Sequence, residues 1–216
     1  MKYKAVIFDF DYTLADATEG IVGSINYALS SCGLPQQERE TIRKTIGMTL
    51  EEMLEEMTGV RDPDIFAEFE RHFLVKADEI MTDNTVLFPH TVGCLEYLRK
   101  NGIKAAIVTN KRRKRIEEAL EKNGIAGLVA LTIGAEDSVP KPDPTGLLRA
   151  VDMLSVPSKE VLFVGDSLID AKTARNANIS FMAVTTGTTT REDFEAFPHA
   201  AIVENLSIEQ ISGYLF

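Results

Sequence analysis

Positive charge is what this sequence is short of. Its 216 residues carry 23 Lys and Arg against 33 Asp and Glu, a formal net charge of -10. Binding to a nucleic-acid backbone rests on cations that neutralise phosphates, so this balance argues against a nucleic-acid partner. Cysteine is nearly absent. Cys32 and Cys94 form neither a CxxC pair nor a metal-ligand spacing, and both fall on apolar helical patterns, which points to free buried thiols. There is no run of about 18 apolar residues and no apolar signal segment. Met1-Lys2-Tyr3-Lys4 leads straight into a strand. A cytoplasmic protein with no membrane partner is expected. Internal repeats and low-complexity segments are also missing. What remains is 44% hydrophobic and 26% charged, an ordinary globular balance. The length suits one large domain, or one domain with a small insert.

The most informative stretch is Lys4-Ala5-Val6-Ile7-Phe8-Asp9-Phe10-Asp11-Tyr12-Thr13-Leu14. Its apolar run is too short for a helix and reads as a strand buried on both faces. Such a strand delivers the residues after it to the carboxyl edge of a parallel sheet, where ligands of open α/β folds bind. Residues i and i+2 of a strand point to one side, so Asp9 and Asp11 face one site if the extended geometry persists. Two carboxylates that close repel each other unless a cation sits with them. Mg²⁺ is the natural occupant, because it takes oxygen ligands and needs only one or two carboxylates. For this stretch alone, the competing reading is a strand leading into an acidic turn.

Beyond Leu14 the sequence turns helical. Ile21, Val22, Ile25, Ala28, Leu29 and Cys32 form a stripe closed by Gly33 and Pro35. A second helix is expected over roughly Glu38 to Ile46. Thr49 with Glu52 reads as a capping box, Gly59 as a helix end, and Asp62-Pro63 as an N-cap and first helical position. No strand signal interrupts residues 16–84. From Val86 onward strands and helices alternate. Strands are expected at residues 103–109, 131–133, 161–164 and 179–184, with helices between them and a last helix around Ile208. Alternation of this kind implies a parallel sheet covered by helices on both faces. The expected architecture is α/β: a Rossmann-like core of residues 1–15 and 85–216, with a helical cap of residues 16–84 inserted after the first strand.

Each expected core strand ends in polar residues that its interior lacks. The ends are Asp9 and Asp11, then Thr109-Asn110-Lys111, then Lys141 in Val139-Pro140-Lys141-Pro142-Asp143-Pro144, then Gly165-Asp166-Ser167-Leu168-Ile169-Asp170. A parallel sheet brings such ends to one edge. Singly, each signal is weak: Thr-Asn after a strand is usually a helix cap, Lys between prolines a solvated turn, and Gly-Asp-Ser a turn plus N-cap.

With Asp9-Phe10-Asp11-Tyr12-Thr13, Thr109, Lys141 and Gly165-Asp166-Ser167-x-x-Asp170 in this order, the chain resembles the haloacid dehalogenase superfamily over nearly its whole length. The helical insert after the first motif is similar to that of the subgroup holding phosphoglycolate phosphatase, bacterial pyrophosphatase, β-phosphoglucomutase and phosphonoacetaldehyde hydrolase. The resemblance implies a Mg²⁺-dependent phosphatase acting on a small phosphorylated metabolite. In that scheme Asp9 is the nucleophile that becomes an aspartyl-phosphate. Asp11 protonates the leaving oxygen and later activates water. Asp9, the Asp11 main-chain carbonyl and Asp166 hold the metal, with Asp170 beside it directly or through water. Thr109, Asn110 and Thr13 bind phosphoryl oxygens, and Lys141 neutralises them and the nucleophile. A monomer or homodimer is expected.

Tyr12 departs from the family pattern, which has Gly there. Gly permits backbone angles that Tyr adopts only at a cost, so a different turn is expected beyond Asp11. The basic run Lys111 to Arg115 reads as a solvated surface or as an attractive patch for anionic substrate, with Lys111 its main contributor. None of His72, His90 and His199 lies in the first cap helix, which disfavours a mutase. Asp11 disfavours a phosphonoacetaldehyde hydrolase, whose second position is small, although Arg43-Lys44-Thr45-Ile46-Gly47 resembles its lysine site. A phosphoglycolate-type phosphatase is the first reading, a pyrophosphatase stays open, and a non-catalytic binding protein is the alternative of another class. Arg43 and Lys44 flank a turn expected to help choose the substrate.

Overall fold

The computed structural model describes residues 2–215. Met1, ahead of the expected first strand, and Phe216 lie outside the described residues. The chain divides into two compact units, Met1–Ala15 with Leu87–Phe216 and Asp16–Val86. The second division falls two residues later than the 84/85 boundary read from the sequence. The reason is local: Asn84 and Thr85 cap the end of the preceding helix, Thr85 through a hydroxyl that donates to the Met81 carbonyl at 2.8 Å.

In chain order the elements are β1 (Ala5–Phe8), β2 (Ala15–Asp16), α1 (Thr18–Ser31), α2 (Arg39–Arg43), α3 (Leu50–Thr58), α4 (Pro63–Ile80), β3 (Val86–Leu87), α5 (Thr91–Lys100), β4 (Lys104–Val108) and α6 (Arg113–Lys122). Then come β5 (Leu131–Ile133), α7 (Thr145–Leu154), β6 (Val161–Gly165), α8 (Leu168–Ala177), β7 (Ser180–Val184), α9 (Arg191–Glu195), β8 (Ala201–Val203) and α10 (Ile208–Leu215). β2 and β3 pair with each other as a two-stranded sheet.

The larger unit is a six-stranded sheet in the order β5-β4-β1-β6-β7-β8. Its pairings are parallel throughout. β1 lies inside it, and every one of its four residues is buried, as expected of an uninterrupted apolar run covered on both faces. Phe8 and Phe10 join the apolar layer on one face with Leu95, Leu98 and Ile116. Ile7 joins the layer on the other face with Leu147, Phe163 and Phe181. The register places the site. Phe8 pairs with Ile107 on one side and Val164 on the other, so Asp9 is level with Val108 and Gly165, and Thr109 and Asp166 follow one residue beyond at the neighbouring strand ends. The Asp9 amide continues the ladder and donates to the Val164 carbonyl at 2.9 Å.

The smaller unit packs α1 and α4 around Ile25, Leu29, Ile42, Leu54 and Phe69. Thr49 and Glu52 form the expected capping box, Asp62 caps α4 ahead of Pro63, and Gly59 ends α3 with φ 72°. Two expectations change. The helix expected over 38–46 is only Arg39–Arg43, because the chain turns at Thr45, whose amide and hydroxyl both donate to the Ile42 carbonyl. Cys32 lies just past the end of α1 and is partly exposed, so only Cys94 is a buried thiol.

Candidate active site

Four carboxylates and two ammonium groups meet at the carboxyl edge of the sheet. Lys141 is the hub. Its Nζ lies 2.6 Å from Asp170 Oδ1 and 2.8 Å from Asp9 Oδ1. All three side chains are at most 4% exposed. Burial alone pushes the Lys141 pKa down, but Asp170 and Asp9 more than offset this and leave it raised, so the group is a fixed positive charge. The main chain of Lys141 is held as firmly. Asn110 Oδ1 accepts from the Lys141 amide at 2.8 Å, and Asn110 Nδ2 donates to its carbonyl at 3.2 Å. The Asn110 side chain therefore aims Lys141, a task in addition to the phosphate contact expected of this residue.

Asp170 is oriented by its own helix. It occupies the third position of α8, where its Oδ2 accepts from the Ser167 amide at 3.1 Å and hydroxyl at 2.5 Å, while Ser167 Oγ accepts from the Asp170 amide. A capping box of this kind satisfies two donors at a helix start. Both Asp170 oxygens are thus engaged, one with Lys141 and one with Ser167. Gly165 is what lets it fit, since a Cβ there would collide with the Asp170 carboxylate.

Asp9, Asp166 and Asp170 each offer a ligand oxygen, all within 4.8 Å of one another. Burial raises the pKa of Asp166 well above the carboxylate range, and repulsion from Asp170 and Asp9 adds to it. Burial raises Asp170 as well, with Lys141 opposing. Asp166 Oδ1 accepts from the Thr13 hydroxyl at 3.0 Å. Three buried carboxylates share one ammonium here, a donor set suited to a divalent cation with oxygen ligands.

Asp11 stands apart from that trio. Both its oxygens accept from Lys111 Nζ at 3.0 Å, and the two side chains are 11% and 9% exposed. Burial raises the Asp11 pKa and Lys111 opposes it. Two carboxylates in unlike surroundings, one beside the acidic cluster and one on a separate lysine, can divide nucleophilic from proton-carrying work. Lys111, read from the sequence as part of a solvated or substrate-attracting run, is paired with Asp11. Three other members of that basic run are matched by acid. Arg113 pairs with Asp137 at 2.8 Å, Arg115 with Glu118 at 3.0 Å and Lys114 with Glu118 at 3.7 Å. Thr109 is buried at the end of β4 and accepts from the Lys111 amide at 3.2 Å. Arg43 and Lys44 lie in the smaller unit, where Arg43 pairs with Glu40 at 3.4 Å.

The turn after Asp11 keeps the left-handed backbone that Gly would supply: Tyr12 has φ 58°. The sequence leads one to expect a different turn, and the chain instead accepts the strain. The Tyr12 amide donates to the Ala15 carbonyl at 2.7 Å, and the Phe10 carbonyl accepts from the amides of Thr13, Leu14 and Ala15. The Thr186 hydroxyl donates to the Tyr12 carbonyl. Gly187, the next residue, is packed so closely on Asp166 Oδ2 that a Cβ would overlap it. Thr186 and Gly187 escape the sequence reading. The strand-end argument used for the other four ends would have found them, had it been applied to Thr185-Thr186-Gly187 after β7.

The family model of haloacid dehalogenase-like hydrolases matches residues 6–184. The phosphoglycolate phosphatase of Salmonella typhimurium is 31% identical over 206 residues, covering 85% of this chain and 82% of the relative. The probable phosphatase IndB of Dickeya dadantii is 30% identical over 206 residues, covering 94% and 90%. Among crystal structures, a haloacid dehalogenase-like hydrolase from Bacteroides fragilis is 42% identical, with a TM-score of 0.92 over 95% of this chain and 98% of its own.

Proposed function

Since the chain belongs to the haloacid dehalogenase-like hydrolases and is a phosphatase, we propose that it hydrolyses a small phosphomonoester in a Mg²⁺-dependent reaction through an aspartyl-phosphate on Asp9. Phosphoglycolate, or a metabolite of like size and charge, is the substrate class that the relatives' names support. A cytoplasmic location belongs to the same proposal. Among the described residues no helix is long and apolar enough to cross a membrane.

The observation that carries the reading is the separation of Asp9 from Asp11. Asp9 sits in the Lys141 cluster and Asp11 on Lys111. Asp9 attacks phosphorus, and the P–O bond to the leaving group breaks. Asp11 hands its proton to the departing alkoxide, which otherwise leaves poorly, and then takes a proton from the water that cleaves the acyl phosphate. Lys141 offsets charge on Asp9 and on the transferred group, with its position fixed by Asn110 and Asp170. Asp9 and Asp166 are the residues that would hold Mg²⁺ directly, because both Asp170 oxygens already have partners. The cation would supply charge neutralisation at the phosphoryl oxygens.

The test is phosphate release from p-nitrophenyl phosphate and from 2-phosphoglycolate, with Mg²⁺ and with a chelator. Activity is expected only with the metal, and Asp9→Asn is expected to lose nearly all of it while keeping the fold. Acid-quenched turnover of labelled substrate should leave label on Asp9. Full activity in chelator with no bound metal by elemental analysis would overturn the metal dependence. Labelling elsewhere would overturn the nucleophile.

A further inference from the structure

Three described residues other than glycine have positive φ: Tyr12, Ser155 and Asn178. Ser155 and Asn178 end helices α7 and α8, where a left-handed residue is usual. Tyr12 has no helix to end, and a bulky side chain disfavours the conformation. It is also only 4% exposed, so the surrounding structure must hold it in place. Its amide bonds within the turn. Its carbonyl is held from far along the chain, by Thr186, 174 residues away.

The peptide so held joins two functional side chains. Before it stands Asp11, bonded to Lys111. After it stands Thr13, whose hydroxyl donates to Asp166. Rotating the Tyr12–Thr13 peptide out of the left-handed turn would move both. Thr186 and Gly187 therefore touch each arm of the site in succession, the hydroxyl on Tyr12 and the bare Cα against Asp166.

We propose that Thr186 is a positioning residue: its hydroxyl locks the Tyr12 carbonyl and keeps Asp11 and Thr13 in register for phosphoryl transfer. A hydrogen bond from a distant strand end does here what a glycine after Asp11 would do through its own backbone freedom. This rests on the phosphatase reading above, and the experiment separates the two.

Thr186→Val removes the donor at nearly constant volume, Thr186→Ser keeps it, and Thr186→Ala is made alongside so that one misfolded variant does not remove the test. With Mg²⁺ and p-nitrophenyl phosphate, Thr186→Val is expected to lower kcat about tenfold with little change in KM, the size of one ordinary hydrogen bond. Thr186→Ser should retain most of the parent kcat. In the Tyr12→Gly background the loss on Thr186→Val should shrink to about twofold, because glycine holds the turn unaided. Equal losses in the two backgrounds, or no loss in the Tyr12 parent, would overturn the proposal. Amide hydrogen exchange supplies a readout independent of turnover. The amides of Thr13, Leu14 and Ala15 should exchange about tenfold faster in Thr186→Val and not in Thr186→Ser, by the same hydrogen-bond scale. Unchanged exchange would overturn the proposal even if the parent proves active on no phosphate ester.

Discussion

Asp166→Asn should make the metal-free protein more stable while destroying its response to Mg²⁺. Asp9, Asp166 and Asp170 lie within 4.8 Å of one another. At an effective dielectric of about 20, two full charges at that outer separation repel by about 3.5 kcal/mol, and closer ones by more. Lys141 compensates mainly Asp9 and Asp170, the two carboxylates it touches. Asp166 is left with burial and two like charges, opposed chiefly by the Thr13 hydroxyl. Asparagine keeps the acceptor for Thr13 and sheds the charge. Protonation already relieves part of the penalty, so the net gain is expected below that repulsion, at about 1–2 kcal/mol, or about 3 °C in Tm for each kcal/mol. The sign with pH is fixed. A carboxyl whose folded pKa is raised binds more protons in the folded state, so the metal-free parent loses stability as pH rises from the usual carboxylate value through the raised one. Asp166→Asn should flatten that fall. Urea and thermal unfolding in chelator and in Mg²⁺ check this. A variant less stable than the parent in chelator, or one stabilised by Mg²⁺ as strongly as the parent, would refute the reasoning.

Asp11→Asn should slow turnover by about 10²–10⁴-fold, with a larger loss for alkyl phosphates than for p-nitrophenyl phosphate, whose leaving group needs no proton. Equal losses in steady-state kinetics would count against the proton role. The Cys94 thiol is pushed up to about 12 by burial, so iodoacetamide on the folded protein should label Cys32 first, read by peptide mass spectrometry. Arg43→Ala with Lys44→Ala should change the ranking of phosphate esters by kcat/KM, as their place beside the Thr45–Thr49 turn in the sequence suggests. An unchanged ranking would place specificity elsewhere.

The core strands are legible in the sequence because buried parallel strands have an unmistakable pattern: β5 at Leu131–Ile133 and β6 from Val161 fall where the sequence puts them. β8 is not, because Ala201-Ile202-Val203 is too short for a period to register and, unlike the equally short β5 between the long helices α6 and α7, it follows no helix long enough to mark it off. The five-residue α9 escapes for the same reason, despite its capping box at Thr190. Within the site, the strand-end residues can be named in advance, but their partners cannot. Lys111 reads as part of a solvated or substrate-attracting run, and only the folded chain shows its pairing with Asp11. The reach of Asn110 to Lys141 and of Thr186 to Tyr12 depends on which strands lie side by side, an order that sequence alone leaves undetermined.

That strand order also sets a timetable for the newborn chain. β1 emerges first, yet its sheet neighbours are β4 and β6, which begin at Lys104 and Val161. At about 5–20 residues per second, the ribosome needs on the order of ten seconds to make the second of them. Meanwhile Asp16–Val86 is complete, built from helices in sequence order, and its local contacts favour rapid folding. The expected nucleophile is thus made before the strands on either side of it and is housed only after the second of them. Pulse proteolysis of stalled chains should show the helical unit protected well before Asp9, with protection of β1 arriving only once the chain has passed Gly165.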